Sequence, residues 1–382
     1  MKRIKQGVSV ITVLLTSAAI LWGCAVASER DSRQELIKGL EKKYGESFTL
    51  IEDAGGGNLS ADHCAVYVRA ESLPDERIYA VHGVFDGKTT GTPISLLIRN
   101  TSQRSGDYGN LKDCFRPGHA DYTYYSKFGF RDYRGGGRAS ARETAGRVAA
   151  GAIAAKFLRE LGVDICAFTK AIGPIQIDEK RFDKDLITKT KTCMPDAEAN
   201  EQAMLYLKKC MEEKDSAGGV IECVITGVPA GIGDPVFDKL DARIAQALMS
   251  IGAVKAVEIG DGVQAALSTG SFNNDQFYME DGTVSKHSNH AGGILGGISD
   301  GSPIVCRAYV KPTPSIFREQ MTVDENGNER TLLIKGRHDP VVVPRAVVVV
   351  ECMCALTVLD AMLSNMTSRA DSVRAFYNKR KQ

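Results

Sequence analysis

The sequence is short of net charge and of tryptophan. Its 382 residues include 48 Lys and Arg against 47 Asp and Glu, a formal net charge of +1, and a single Trp. No overall electrostatic field draws such a chain to nucleic acid or to an anionic membrane, so we expect no nucleic-acid partner. Any charge-driven binding must be local. With 43% hydrophobic residues, the chain is long enough for one large domain or two ordinary ones.

The sequence also lacks any cysteine pair at the C-x-x-C spacing of a zinc site, although it holds ten cysteines. Cys352 and Cys354 form a C-x-C inside an apolar run, which is more typical of two small buried thiols than of a metal site. We therefore predict no metal. The scattered cysteines favour free thiols in a reducing cytosol over the disulfide framework of a secreted protein.

The first residues indicate a different compartment. Lys2, Arg3 and Lys5 precede the apolar run GVSVITVLLTSAAILWGC at residues 7–24, which has the pattern of a secretory signal peptide. Its end resembles a bacterial lipoprotein cleavage box, in which Cys24 would carry the lipid and the protein would meet a membrane. A buried apolar helix or strand is the alternative, and the position behind three cations disfavours it.

Residues 25–80 are expected to form a small α+β module. Residues 28–45 have a charged amphipathic pattern that predicts a helix, and residues 46–71 alternate in a way that predicts a hairpin. A turn at 73–77 and a change of character from Val81 place a boundary near residue 80. The other expected segments are the signal at 1–24, the main domain at 81–370 and a basic tail at 371–382.

Ser140 and Glu143 form an S-x-x-E capping box, which predicts a helix start, and Gly162 predicts the end of that helix. A triple glycine at residues 135–137 lies just upstream, where the backbone can approach a ligand and a helix N-terminus offers unpaired N–H groups. A flexible turn with solvated side chains is the alternative. Four arginines favour an anion site instead: Arg131, Arg134, Arg138 and Arg142. The helix carries one apolar row at i,i+4 spacing, made of Ala149, Ile153, Phe157 and Leu161.

His119 follows a Pro-Gly turn. A lone histidine is more often a packed or surface residue than a catalyst, but among arginines it would suit proton donation to an anionic group. Glycine pairs downstream fit ordinary bulges or turns when taken singly. Four glycine- or proline-bearing loops in one chain nevertheless suggest a site for a phosphorylated, carboxylated ligand and a cofactor. These loops are residues 257–275, 287–304, 311–316 and 336–340.

The residues of several motifs, taken together, resemble those of one protein family. FRPGHADYTY at residues 115–124, SNHAGGILGGISDG at 288–301, KPTPSI at 311–316 and GRHDPVVVPRAV at 336–347 together are similar to chorismate synthase. Three further matching stretches are RDYRGGGRASARETAGRVAAGAIA at 131–154, TGVPAGIGDPVFDKLDARIAQALMS at 226–250 and VEIGDG at 257–262. The resemblance runs from about residue 81 to about residue 369.

The resemblance implies a fold, a reaction and partners. The fold would be an α+β sandwich in which helical layers lie between antiparallel sheets, assembled as a homotetramer. The reaction would be the anti-1,4-elimination of phosphate from 5-enolpyruvylshikimate 3-phosphate to give chorismate, in the shikimate pathway of aromatic amino acid biosynthesis. Reduced FMN would be the cofactor, with NADPH as a possible reductant, and the location would be the cytoplasm. That location conflicts with the signal-like segment at residues 7–24.

The resemblance also implies site residues. His119 and Asp339 would be catalytic, and Arg134 and Arg345 would contact the substrate. The residues expected to bind FMN are Arg138, Ala139, Ser140, Gly252, Ala253, Gly296, Lys311, Pro312, Thr313, Pro314, Ser315 and Arg337.

The sequence departs from the family at one place. The family opens with a strand leading to FGESHG, followed by a GVPPGI loop and an arginine-rich RRRPG stretch, and none of these occurs here. The departure motivates a second hypothesis, in which an exported lipoprotein head is joined to an impaired synthase that binds FMN at most. In a third hypothesis, the head is an artefact of gene joining.

Overall fold

The computed structural model describes residues 11–16, 48–50, 63–70, 78–85, 88–98, 109, 111–134, 140–334 and 339–379. Several expectations lie outside these residues: the helix at 28–45, the turn at 73–77, Cys24, the triple glycine at 135–137, and the site residues Arg138, Ala139 and Arg337. The chain divides into two compact units, residues 1–103 and 104–382.

The first unit contains short antiparallel strands. Its strands are β1 Ile11–Thr16, β2 Phe48–Leu50, β3 His63–Ala70, β4 Ile78–His82, β5 Val84–Phe85, β6 Lys88–Thr89 and β7 Ser95–Ile98. Strand β3 lies between β1 and β2, β4 pairs with β7, and β5 pairs with β6. The pairing of β2 with β3 confirms the predicted hairpin. Strand β1 lies within the predicted signal segment, where a buried apolar helix or strand was the alternative. Six residues of that segment therefore form a strand, and the signal peptide stays a prediction.

The second unit alternates helices and strands. In chain order these are α1 Asp121–Phe128, α2 Thr144–Glu160, β8 Asp164–Ile172, β9 Ile175–Gln176, α3 Ala197–Glu212, β10 Gly219–Thr226, α4 Leu240–Met249, β11 Val254–Ile259, α5 Gly270–Asn273, β12 Phe277–Glu280, β13 Thr283–Lys286, β14 Ile294–Leu295, β15 Ile298–Ser299, β16 Ile304–Val310, β17 Gln320–Val323, β18 Glu329–Leu332, α6 Val343–Asn365 and α7 Ala370–Lys379. The main sheet has the antiparallel order β11-β16-β10-β8-β9. This mixture of helices and antiparallel sheet confirms the predicted α+β class.

The core of the second unit follows from strand alternation. In β16, Ile304, Cys306 and Ala308 are fully buried, whereas Arg307 and Tyr309, on the opposite face, are only half-buried. Strands β8 and β10 of the same sheet pack against α6, which also contacts α2 and α4. By length and composition alone, α6 could cross a membrane, with a mean hydropathy of 2.2 over its most apolar stretch. Its packing on the sheet makes it the central helix of this core.

Helix α2 approaches α6 at a glycine. A Cβ built on Gly151 would lie only 2.2 Å from the Cβ of Cys352, so any larger residue would push the two helices apart. The helix thus buries a row of small residues and Leu158, while most of the predicted row is solvent-exposed, including Ile153 and Phe157. The i,i+4 row therefore does not mark the buried face of α2, because close helix packing selects small residues over large apolar ones.

The predicted helix start is confirmed, and the predicted capping box is half wrong. Ser140 accepts a hydrogen bond from the N–H of Arg142 at 3.3 Å, and a 3₁₀ turn at residues 141–143 leads into α2. Glu143 does not complete the box, since its carboxylate pairs with Arg147 at 2.9 Å instead. An arginine one turn on competes better for a carboxylate than a backbone N–H does. Gly162 ends the helix as predicted, with a φ of 80°.

Candidate active site

His119 lies in a tight turn that is stabilised by an ion pair. The Pro-Gly turn brings the N–H of His119 to within 3.2 Å of the carbonyl oxygen of Arg116, and Asp121 then begins α1. Arg116 donates to both carboxylate oxygens of Asp121, from Nε at 2.7 Å and from Nη2 at 2.8 Å, and its backbone N–H donates at 3.1 Å. Nδ1 of His119 lies 2.9 Å from the same carboxylate. The turn therefore has one fixed geometry.

Cations surround the Asp121 carboxylate. Burial alone would raise its pKa, but the hydrogen bonds from Arg116 and His119 hold the pKa of Asp121 well below its usual value. Arg131 adds a third partner, with Nη1 at 3.9 Å. Asp121 is therefore an anion at neutral pH, and it is the acceptor around which this part of the site is arranged.

The Lys311–Ser315 loop meets the His119 turn. Nζ of Lys311 donates to the carbonyl oxygen of Gly118, and a Cβ built on Gly118 would lie 3.3 Å from Cβ of Pro314. Burial and the nearby charge of Lys255 lower the pKa of Lys311. Two motifs nearly 200 residues apart in the sequence are thus in direct contact.

A further predicted segment, Gly252–Ala253, joins the same place. The backbone N–H of Lys311 donates to the carbonyl oxygen of Ala253 at 2.9 Å, and Ala253 has a φ of 73°, in the left-handed region that alanine rarely adopts. Gly252 directly precedes it. This strained residue fixes the backbone beside the Lys311 loop, so the Gly252–Ala253 prediction and the Lys311–Ser315 prediction coincide in space.

Asp339 approaches the Lys311 loop through a short linking segment. Oγ of Ser216 donates to the carbonyl oxygen of Thr313 at 2.7 Å, and the N–H of Ala217 donates to the carbonyl oxygen of Pro340 at 2.7 Å. Asp339 itself forms an ion pair with Arg345 at 2.8 Å. Residues 216–217 therefore hold the loop and the 339–340 segment side by side, and Arg345 faces the predicted catalytic carboxylate.

Comparisons with known proteins agree with this arrangement. The family model for chorismate synthase matches residues 65–363. The chorismate synthase of Lachnoclostridium phytofermentans is 58% identical over 306 residues, 80% of this chain and 83% of the relative. The chain belongs to the chorismate synthase family. The chorismate synthases of Agathobacter rectalis, at 55% over 80% of this chain and 83% of the relative, and of Methanococcoides burtonii, at 52% over 75% and 80%, are also similar.

A solved chorismate synthase has the same fold. Its crystal structure superposes with a TM-score of 0.62 at 32% identity, covering 80% of this chain and 84% of that chain. The predicted chorismate synthase family and fold are therefore confirmed. The family match begins at residue 65, within the expected 25–80 module, and the domain boundaries stay predictions.

Other predicted chorismate synthase site residues lie on elements outside this cluster. Gly296 lies in the β14–β15 turn with a φ of 61°. Arg134 forms an exposed ion pair with Asp132. Ser140 lies at the start of α2, whose Arg147 reaches Ser250, two residues before Gly252. A ligand long enough to span these positions would be needed to connect them.

A second histidine–carboxylate pair was missed as a site. Nδ1 of His290 lies 2.6 Å from Oδ2 of Asp261. The two residues belong to the chorismate synthase-like motifs SNHAGG and VEIGDG, but neither was predicted as a site residue. The His290 loop is held by Asp275, which accepts from the N–H groups of His290 and Ala291 at 2.8 and 3.0 Å. Hydrogen bonds from Ser288, from these two N–H groups and from Lys286 outweigh burial and lower the pKa of Asp275 to about 2. The spacing of the two motifs gave no sign of this pairing.

Three buried thiols form the only group among the described residues with metal-ligand proximity. The Sγ atoms of Cys223, Cys306 and Cys354 lie within 4.8 Å of one another, between the main sheet and α6. The site is fully buried in the apolar core, where thiols act as small hydrophobic residues and a bound ion would need costly charge compensation. We interpret the group as core packing, and the absence of a metal stays a prediction.

Proposed function

We propose that the chain catalyses the anti-1,4-elimination of phosphate from 5-enolpyruvylshikimate 3-phosphate to give chorismate, as a carbon–oxygen lyase of aromatic amino acid biosynthesis. The observation that carries the proposal is the contact between the Lys311 loop and the His119 turn. It places a cation beside a histidine, as elimination of an anionic leaving group requires. Identities of 52–58% to chorismate synthases favour this function over an inactive fusion.

Each residue of the cluster has a proposed role. His119 would move a proton to and from the ligand, and Asp339 would serve as a second acid–base group. Lys311, held beside Gly118, and Arg345, paired with Asp339, would neutralise phosphate and carboxylate charge. Arg134 would add substrate charge neutralisation if the ligand reaches its exposed position.

Reduced FMN is the cofactor that we propose, and it would supply the electron density for breaking the carbon–oxygen bond. The residues present fit such a group, because Oγ1 of Thr313 is buried without a hydrogen-bond partner among the described residues, and the same loop carries the amine of Lys311. Ser140, Gly252, Ala253, Gly296 and Lys311–Ser315 would hold the flavin together with Arg138, Ala139 and Arg337. NADPH is the proposed reductant.

We further propose a cytoplasmic homotetramer. The substrate and reduced flavin are cytoplasmic metabolites, and large exposed apolar side chains support self-association: the side chains of Phe237 and Leu267 are 90% and 81% exposed. Membrane contact would arise only if the segment at residues 7–24 acts as a lipoprotein signal.

The test is anaerobic phosphate release from 5-enolpyruvylshikimate 3-phosphate with dithionite-reduced FMN, on the chain without residues 1–23. We expect His119→Ala to lose about 10²–10⁴-fold in turnover, the usual contribution of one acid–base group. The matched control is His82→Ala, which changes a histidine of the other unit and should keep turnover. No phosphate release by the wild type, with FMN still bound, would instead indicate a flavin-binding protein without synthase activity.

A further inference from the structure

We propose that Asp121 is a positioning residue that holds the neutral His119 ring in the tautomer with its proton on Nδ1. Nε2 would then be the nitrogen that meets the ligand. Only the link to turnover rests on the proposed function, because the tautomer itself is a property of the free protein. The sequence offered no such role for Asp121, which stands two residues after the histidine in FRPGHADYTY.

The assignment follows from counting protons in a triangle of three groups. Nδ1 of His119 lies 2.9 Å from Oδ1 of Asp121 and 3.0 Å from Nη2 of Arg116, while Nη2 lies 2.8 Å from Oδ1. A guanidinium can only donate, and one of the two hydrogens on Nη2 goes to Oδ1. The other could bond to Nδ1 only if Nδ1 had no proton, and two unprotonated acceptors, Nδ1 and Oδ1, would then face each other at 2.9 Å. The carboxylate has no proton, so the hydrogen between His119 and Asp121 must belong to Nδ1.

The carboxylate cannot turn away from the ring. Asp121 is 4% exposed, and three hydrogen bonds from the backbone and guanidinium of Arg116 fix both of its oxygens. Arg131 closes the other side, with its guanidinium over the ring of Phe115 at 5.5 Å. Holding an imidazole by its second nitrogen is the usual way in which proteins set a tautomer.

Nε2 of His119 remains available for proton transfer to and from a ligand. Among the described residues, the polar atoms within hydrogen-bond distance of the His119 ring nitrogens lie at Nδ1: the Asp121 oxygen that accepts its proton and the neighbouring Nη2 of Arg116. The groups with charge that surround the turn are Arg116, Asp121, Arg131 and Lys311, and Asp121 is the one anion among them. A neutral ring held in this way accepts a proton at Nε2 and returns it from the same atom, so both directions of transfer use one geometry.

Asp121→Asn should reverse the tautomer. Nε of Arg116 will keep the amide oxygen at the position of Oδ2, where it now donates at 2.7 Å, and this places the amide NH₂ next to Nδ1. The NH₂ group can only donate, so Nδ1 becomes an acceptor and the proton of the neutral ring moves to Nε2. Nε2 could then no longer accept a proton.

The first test is NMR of protein labelled with ¹⁵N-histidine, recorded at alkaline pH where imidazole rings are neutral. The chain has six histidines, and His119→Ala identifies the signal. We expect protonated Nδ1 in the wild type and protonated Nε2 in Asp121→Asn. Protonated Nε2 in the wild type would overturn the proposal without any variant having to fold. The control is Asp324→Asn, which removes another buried carboxylate with an arginine partner and should leave the His119 signal unchanged.

The second test links the tautomer to phosphate release. We expect Asp121→Asn to lose about 10²-fold or more in turnover, and the double variant with His119→Ala to be no slower than His119→Ala alone. Asp121→Glu, which keeps the anion, should recover part of the loss. Additive losses in the double variant would mean that Asp121 acts apart from His119, which contradicts the proposal. If the wild type releases no phosphate, the proposed function fails while the NMR result still stands.

Discussion

The two halves of the candidate site are built in different ways. Around His119, the charged side chains are buried: Arg116 is 7% exposed and Asp121 4%. Around Asp339, the pair with Arg345 is open to solvent, with the two side chains 45% and 73% exposed. Both halves rest on an arginine–carboxylate pair. The two pairs differ in their exposure to water, which competes for the hydrogen bonds between arginine and carboxylate.

The solvent exposure of each ion pair decides whether the pair is fixed or can exchange partners. A buried charge must keep its partner, because an isolated ion in the interior costs several kcal/mol. The His119 half is therefore fixed before a ligand arrives. An exposed pair contributes little and exchanges partners readily. Around Asp339, Arg345 can therefore leave the carboxylate and pair with an anionic ligand instead. The buried pair keeps His119 in a fixed position, whereas the exposed pair can rearrange when a ligand binds.

The largest expected effect comes from removing the buried anion. Asp121→Ala should lower the free energy of unfolding by about 3–5 kcal/mol, because it leaves Arg116 buried without a counterion. Urea unfolding at neutral pH measures this loss. Because the folded pKa of Asp121 lies below the unfolded value of about 3.9, its contribution is present above that pH and is lost as pH falls further, so wild type and variant should converge in acid. Asp339→Ala is the control, and an equal loss there would erase the contrast between the halves.

An intermediate effect is expected at Arg131. Its Nη2 donates to the carbonyl oxygens of Leu111 at 2.6 Å, Lys112 at 3.0 Å and Cys114 at 2.7 Å. Arg131→Met keeps most of the side-chain volume but removes these bonds, and we expect a loss of about 2 kcal/mol in thermal or urea unfolding. Arg134→Met changes an exposed arginine three residues away and should be neutral. Unchanged stability in Arg131→Met would show that the His119 half does not depend on this anchor.

The smallest effect on stability is expected at Arg345. Arg345→Ala breaks its exposed pair with Asp339 and should change the free energy of unfolding by less than about 0.5 kcal/mol. Its KM for 5-enolpyruvylshikimate 3-phosphate should nevertheless rise, since the proposed partner of the ligand is gone. A loss of stability as large as that of Asp121→Ala would mean that the open half is as fixed as the buried one.

Sequence patterns predicted the local parts of the site better than its connections. Ser140 caps the 3₁₀ turn that leads into α2, and Gly162 ends α2, because caps depend on a few adjacent residues. The family resemblance gave site roles to His119 and to the Lys311–Ser315 loop, but the contact of Lys311 with Gly118 was not predicted. The role of Asp121 and the pair of His290 with Asp261 were missed, since both depend on side-chain directions in turns. The capping box was half wrong for a related reason, because the Glu143 carboxylate turns toward Arg147 and not toward the backbone.

The bond from Lys311 to Gly118 has a consequence for the order of events on the ribosome. The two residues are 193 positions apart, and the bond from Thr322 to Phe115 spans 207. At about 5–20 residues per second, the His119 turn would emerge roughly 10–40 s before Lys311 does. Arg116 and Asp121, five residues apart, can pair during that wait. The nascent chain would thus protect its buried carboxylate early, and it would gain a complete site only after the Lys311 loop has been made.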